Sequence, residues 1–151
     1  MKLISFLMLN CLSFSVLAQD KVEDKSQTPL ARTFQDKDLK WGPCPEVFPK
    51  GCEVTVLHGD PAKENADVYL RIPAGYVIPA HSHTSAERMT LVSGTLKVKY
   101  KGNVPVVLKP GSYAYGPAGM PHEGTCQGKT SCVLFIAFEG PVDAKAFADK
   151  L

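Results

Sequence analysis

From Cys52 onward, apolar and polar residues alternate with period two, the pattern of strands that bury one face. Glu53–His58 alternates and is rich in β-branched residues, and Gly59-Asp60-Pro61 ends it. Ala66–Ile72 is a second such run, closed by Pro73-Ala74-Gly75. Tyr76–His83 is a third, with Pro79 marking its start as an edge or a bulge. Arg88–Val92 follows, and Ser93-Gly94 turns the chain into Thr95–Tyr100, where Lys97 and Lys99 face outward. Lys101-Gly102-Asn103 is a hairpin signal. Val104–Leu108, Ser112–Tyr115 and Cys132–Phe138 continue the series. Short strands at regular spacing, punctuated by glycine and proline, predict an all-β sandwich or barrel. Only Val142–Leu151 has helical texture: Asp143 can cap it, and Ala144, Ala146 and Ala148 favour it. A short C-terminal helix is the expectation there.

The N-terminal third has a different texture. Met1-Lys2 is a basic start, Leu3–Leu17 is nearly all apolar, and Ala18 supplies a small residue at a cleavage position. Residues 1–18 therefore predict a secretory signal peptide. A membrane anchor fits less well, because the apolar run is short and is broken by Asn10, Ser13 and Ser15. A lipoprotein anchor on Cys11 is disfavoured by Asn10 before it. Residues 19–40 are polar and predict a linker or an N-terminal arm. Residues 41–151 form the single domain, opened by Trp41-Gly42-Pro43, whose Trp41 is expected on the barrel exterior or at a subunit contact.

Export sets how the cysteines are read. The chain has five, and Cys11 would leave with the leader. The remaining four, Cys44, Cys52, Cys126 and Cys132, are an even number in an oxidising compartment, periplasmic or extracellular. Three pairings are open. The local ones, Cys44–Cys52 and Cys126–Cys132, are favoured over free buried thiols, and the spacing does not suit a zinc knuckle. Formal net charge is +2, and Lys2 in the leader supplies one of those charges. The basic residues are scattered without interleaved aromatics, so nothing points to nucleic acid, and no membrane association is expected after cleavage.

Against this neutral background, one stretch concentrates chemistry. Gly75-Tyr-Val-Ile-Pro-Ala-His81-Ser-His83-Thr-Ser-Ala-Glu87 carries three good ligands for a divalent metal. His81 and His83 share a strand face, and Glu87 is near enough to close on the same ion. A second stretch, Gly111-Ser-Tyr-Ala-Tyr-Gly-Pro117-Ala-Gly119-Met-Pro-His122, adds a third histidine after a proline- and glycine-rich turn. Period two then places Met89 and Leu91 on the inward face with Glu87. His58, at a strand end beside Gly59, reads as a surface or turn residue.

The two stretches resemble both signature motifs of the cupins. The first, G-x5-H-x-H-x3-E-x6-G, is matched by Gly75, His81, His83, Glu87 and Gly94 with every spacing kept. The second, G-x5-P-x-G-x2-H-x3-N, is matched by Gly111, Pro117, Gly119 and His122, with Cys126 in place of the final Asn. A looser likeness extends to small exported bacterial cupins, through Trp41-Gly42-Pro43, Gly59-Asp60-Pro61 and Gly140-Pro141. The resemblance implies a single jelly-roll-type barrel in which His81, His83, Glu87 and His122 bind one divalent transition metal: Mn, Fe, Zn, Ni, Co or Cu. It also implies a possible homodimer, in which the polar arm before Trp41 could take part.

What the metal does is less legible. If Tyr113 and Tyr115 share the inward face, they bring a hydroxyl near the metal, or pack in the core with the hydroxyl satisfied elsewhere, the favoured alternative. Arg71 could hold a substrate carboxylate or point to solvent, and solvent is favoured. No further acid, base or nucleophile stands out. Three functions remain open: a metal-dependent enzyme on a small organic molecule (oxygenase, lyase, decarboxylase or isomerase), a non-catalytic ligand-binding or sensing module, and a barrel whose metal is structural.

Overall fold

The computed structural model describes residues 28–151. The expected signal peptide and the first part of the arm lie outside the described residues. Eleven strands follow in order: β1 Gly42–Pro43, β2 Glu53–His58, β3 Ala66–Ile72, β4 Val77–Ser82, β5 Glu87–Ser93, β6 Thr95–Tyr100, β7 Val106–Leu108, β8 Tyr113–Gly116, β9 His122–Gln127, β10 Cys132–Phe138 and β11 Lys145–Ala146. They form two sheets, ordered β1-β2-β3-β10-β5-β8 and β11-β4-β9-β6-β7. Every pairing is antiparallel. The all-β architecture expected from the alternation is present, as is the jelly-roll-type barrel that the family resemblance implies.

The core lies between the sheets and is built from the inward positions of each alternation. Val68 and Ile72 of β3, Leu91 of β5, Leu96 and Val98 of β6, and Leu134, Ile136 and Phe138 of β10 are buried. β10 is the hub of the larger sheet, pairing β3 along its whole length on one side and β5 on the other. The 93–95 turn between β5 and β6 lies directly on β10. Gly94 there has φ +85, and a Cβ would sit 2.8 Å from the Ser131 carbonyl oxygen and 2.9 Å from Cys132 Sγ, so no side chain fits at this corner.

Cys44 bonds Cys52 and Cys126 bonds Cys132. The first bond closes the loop before β2; the second staples the β9–β10 connection, with both of its cysteines fully buried. Two disulfides fit an oxidising compartment. Among the described residues no helix is long and apolar enough to cross a membrane. Trp41 packs outside the barrel over the Arg71 guanidinium, 4.1 Å from the ring centroid. Arg71 also donates to Glu53 at 2.6 and 2.9 Å, so it braces the outer face and does not enter the interior.

The expected C-terminal helix is absent. Residues after Val142 instead add β11 to the edge of the smaller sheet, with Lys145 opposite Ser82 and Ala146 opposite His81. The reason is tertiary. The Asp143 carboxylate accepts from the Thr84 N–H at 2.9 Å and from the Thr84 hydroxyl at 2.8 Å, so it ties the tail to the loop after β4 and is not left to cap a helix. Alanine propensity, a few tenths of a kcal/mol per residue, yields to these contacts.

The disulfides make a direct prediction. A chain starting at Gln19, denatured without reductant, should show no titratable thiol, and four after reduction. Replacing both Cys126 and Cys132 by Ser should cost about 2–3 kcal/mol of unfolding free energy in chemical denaturation. Four free thiols before reduction would refute both bonds.

Candidate metal centre

Four buried polar side chains meet at one end of the barrel interior. His81 lies near the end of β4, His83 just follows that strand, Glu87 opens β5 and His122 opens β9. His81 and His122 are cross-strand partners in the smaller sheet, whereas Glu87 comes from the larger one. The site therefore bridges the two sheets. Exposure runs from 2% for Glu87 to 8% for His83, so bulk water cannot serve these groups and their partners must be internal.

The hydrogen bonds settle which nitrogen of each ring faces the centre. His81 Nδ1 lies 2.8 Å from the Pro79 carbonyl oxygen and His122 Nδ1 lies 3.1 Å from that of Met120. His83 Nδ1 makes the equivalent contact with the Asp143 carbonyl. A carbonyl only accepts, so each Nδ1 carries the proton and each Nε2 presents a lone pair. His122 Nε2 is 3.2 Å from Glu87 Oε1, and His83 Nε2 is 3.5 Å from Glu87 Oε2. The ligand nitrogens of the three histidines lie within 4.8 Å of one another. The inward surface is thus three nitrogen lone pairs and a carboxyl group, nearly all acceptor. Among the described residues, Glu87 Oε1 has no hydrogen-bond partner.

Burial drives the titration of these groups. It pushes His81 down to about 3, helped by the neighbouring His122, and His122 down to about 4, helped by His83. His83 is lowered for the same reason. Burial lifts Glu87 to about 8. The rings are therefore neutral at pH 7 and the carboxyl holds its proton. That single proton cannot satisfy four converging acceptors, whereas a cation can. Two donors each about 2.1 Å from one ion sit roughly 3–3.5 Å apart at adjacent coordination positions, which matches the two Glu87–histidine separations. The donor set fits a divalent transition metal.

Other residues shape the site, and not all of them were expected. Met89 lines the cavity beside the four ligand candidates. Leu91 is buried but packs in the core and does not line that cavity. Tyr113 and Tyr115 do not face inward: they are 61% and 49% exposed. The pairing register explains this. Tyr115 lies opposite Arg88 and Tyr113 opposite Thr90, while Gly116 and Ala114 lie opposite Glu87 and Met89. Cross-strand partners share a face, so the small residues of β8 point in. They have to be small. A Cβ on Gly116 would come within 2.7 Å of Glu87 Oε1.

The tyrosine that packs against a ligand candidate is Tyr100, at the end of β6. It is paired with His122, and the two rings lie 5.3 Å apart. Among the described residues its buried hydroxyl lacks a partner, like Glu87 Oε1, and burial together with the charge of Glu87 raises its pKa. The alternation Leu96, Val98, Tyr100 is the signal that points to it. Phe48, from the Cys44–Cys52 loop, covers His81 edge-on at 4.8 Å.

The model of the ChrR cupin-like domain family matches residues 31–143. The chain belongs to this cupin family. No curated protein sequence matches it. Several solved structures share its fold. The DMSP lyase DddQ of Ruegeria pomeroyi superposes with a TM-score of 0.61 at 20% identity, over 72% of this chain and 60% of that one. The polyketide cyclase RemF of Streptomyces resistomycificus gives 0.63 at 17%, over 80% and 88%. An RmlC-like cupin of Shewanella frigidimarina gives 0.58 at 20%, over 74% and 93%. This cupin spans 60 to 63% of the length of the DMSP lyases it matches. Identities this low show the fold alone.

Two outcomes follow from the site. Because apo Glu87 is protonated below about 8, loading the metal at pH 7 should release about one proton per ion, and the release should fade as pH rises past that value. Calorimetry in buffers of different ionisation enthalpy reads this directly; no release at pH 7 contradicts a Glu87 ligand. Gly116→Ala should displace the carboxylate and weaken metal binding about 10–100-fold while the fold persists, as measured by competition with a chelating indicator.

Proposed function

We propose that His81, His83, Glu87 and His122 hold one divalent transition metal and that this metal-loaded cupin is an enzyme acting on a small organic molecule. The reaction class is that of an oxygenase, lyase, decarboxylase or isomerase. The observation that carries the reading is the convergence of three histidine ligand nitrogens, within 4.8 Å of one another, beside the buried Glu87 carboxyl group on an internal cavity. Four protein ligands leave one or two coordination positions free, and a bound metal supplies Lewis-acid or redox chemistry there. The protein's own part is to hold each imidazole by its Nδ1–H, to exclude water and to pack the Tyr100 ring against His122. The kinds of reaction named for similar folds, lyase and cyclase among them, are compatible with this reading.

A second reading, a non-catalytic small-ligand-binding or sensing module, draws on the poverty of acid–base groups: beyond the ligands, most of the cavity wall is aliphatic or aromatic. The disulfides and the leader-like N-terminus support export to the periplasm or beyond.

Elemental analysis of the purified protein tests the metal. Wild type should carry about one ion per chain, and His83→Ala should lose most of it. Adding metal at a hundred times its Kd stabilises a protein by about 2.7 kcal/mol, so wild type should gain roughly 10 °C in Tm and the variant little. A wild-type protein that cannot be loaded refutes the centre. Oxygen consumption and turnover across small acids and diketones then separate the two readings: silence from every metal-loaded form leaves the binding module.

A further inference from the structure

The cavity that ends at the four ligand candidates is about 70 Å³, room for a small organic body and not only for water. Its walls come from both sheets. Val68, Leu70, Ile78, Val98, Leu134 and Ile136 dominate them, and Phe48 closes over His81. Among the described residues, no lysine or arginine lines it. Two carboxylates besides Glu87 touch its rim, and neither is turned to a ligand. Asp143 is engaged by Thr84. Glu123 alternates with the buried His122 and Gly124 and so lies on the outer face of β9. All the polarity offered to a guest is therefore at one end.

We propose that the guest of this cavity is an amphipathic small molecule with one oxygen-bearing, metal-binding head and an otherwise apolar body. This rests on the metal reading above. A divalent ion with the Glu87 carboxylate leaves a centre of about +1 formal charge, which accommodates a single anionic or strongly polar head. A second carboxylate, a phosphate or a run of hydroxyls would lie against aliphatic walls, stripped of water and given no donor in return. The body, by contrast, gains from each methylene removed from water. Dicarboxylates, sugars and phosphate esters are thereby excluded as guests, and short monocarboxylates, hydroxy or keto compounds with hydrocarbon tails are admitted.

The test uses the full chain loaded with Co(II), whose visible spectrum reports on ligand exchange. Cobalt uptake is measured first. If no cobalt spectrum develops, the metal reading itself has failed. With cobalt bound, acetate, butanoate and hexanoate are titrated beside succinate, adipate and glycerol. Affinity should rise about three- to fourfold per methylene until the cavity is full, and adipate should bind at least tenfold more weakly than hexanoate. Succinate, adipate or glycerol binding as tightly as hexanoate, or affinity independent of tail length, overturns the proposal. Val54→Phe, a half-buried wall position, should move the preferred tail to a shorter one with cobalt uptake unchanged. An unchanged preference in a folded, cobalt-loaded variant counts against the cavity as the binding place. Should the variant not melt cooperatively, the wild-type series alone decides.

Discussion

The structure turns on a conflict among acceptors. Three imidazoles each spend their only proton on a carbonyl of their own chain, those of Pro79, Asp143 and Met120. Their lone pairs are thereby committed to the interior, where they meet a carboxyl group with a single proton to offer. Such a cluster is expensive to bury unless something positive completes it. Its members come from β4, β5 and β9, so the cost is borne by both sheets at once. The local turns serve this geometry. Pro79 and Met120 each lie two residues before the ring they orient, and the Asp143 carbonyl is delivered by a tail that runs back along β4.

That tail shows how the surroundings answer to the site. Asp143 bonds Thr84 through its side chain and His83 through its backbone, so one residue holds both the loop after β4 and a ligand candidate. A helix from Val142 onward would withdraw both contacts. β8 is constrained in the same way. Its inward positions must stay small because Glu87 fills the space above Gly116, and its tyrosines are left on the outside. The Cys44–Cys52 bond fixes the loop that carries Phe48 against His81, which removes conformational freedom from the cavity's cover.

Much of this was legible in the chain. The runs Glu53–His58, Ala66–Ile72, Thr95–Tyr100 and Cys132–Phe138 coincide with β2, β3, β6 and β10, because alternation and β-branching there act together. The cupin motifs marked the residues that meet at the barrel end, since strand geometry and turn lengths are encoded by their spacing. What escaped was whatever depends on pairing between distant segments. Tyr113 and Tyr115 alternate as cleanly as any strand, but alternation does not say which face is in; the register with β5 does. A tyrosine at the end of an amphipathic strand, as Tyr100 is, looks ordinary until His122 is set opposite it. The tail looked helical because its alanines are locally persuasive, and the Asp143–Thr84 contacts spanning 59 residues are invisible to local propensity.

The division of labour within the barrel bears on what a metal is for. Folding has ample support without one. An apolar core runs through β3, β10, β5 and β6, and two disulfides close the flanking loops. A metal whose task was structural would be expected where the core is thin and its coordination closed. Here the ligand candidates open onto a cavity that the core could have filled, and among the described residues Glu87 Oε1 and the Tyr100 hydroxyl are buried without a hydrogen-bond partner. Leaving space and unsatisfied polarity together in an otherwise well-packed barrel lowers stability. The arrangement at Glu87 makes physical sense if an ion and its guest complete the cavity and the carboxyl group together.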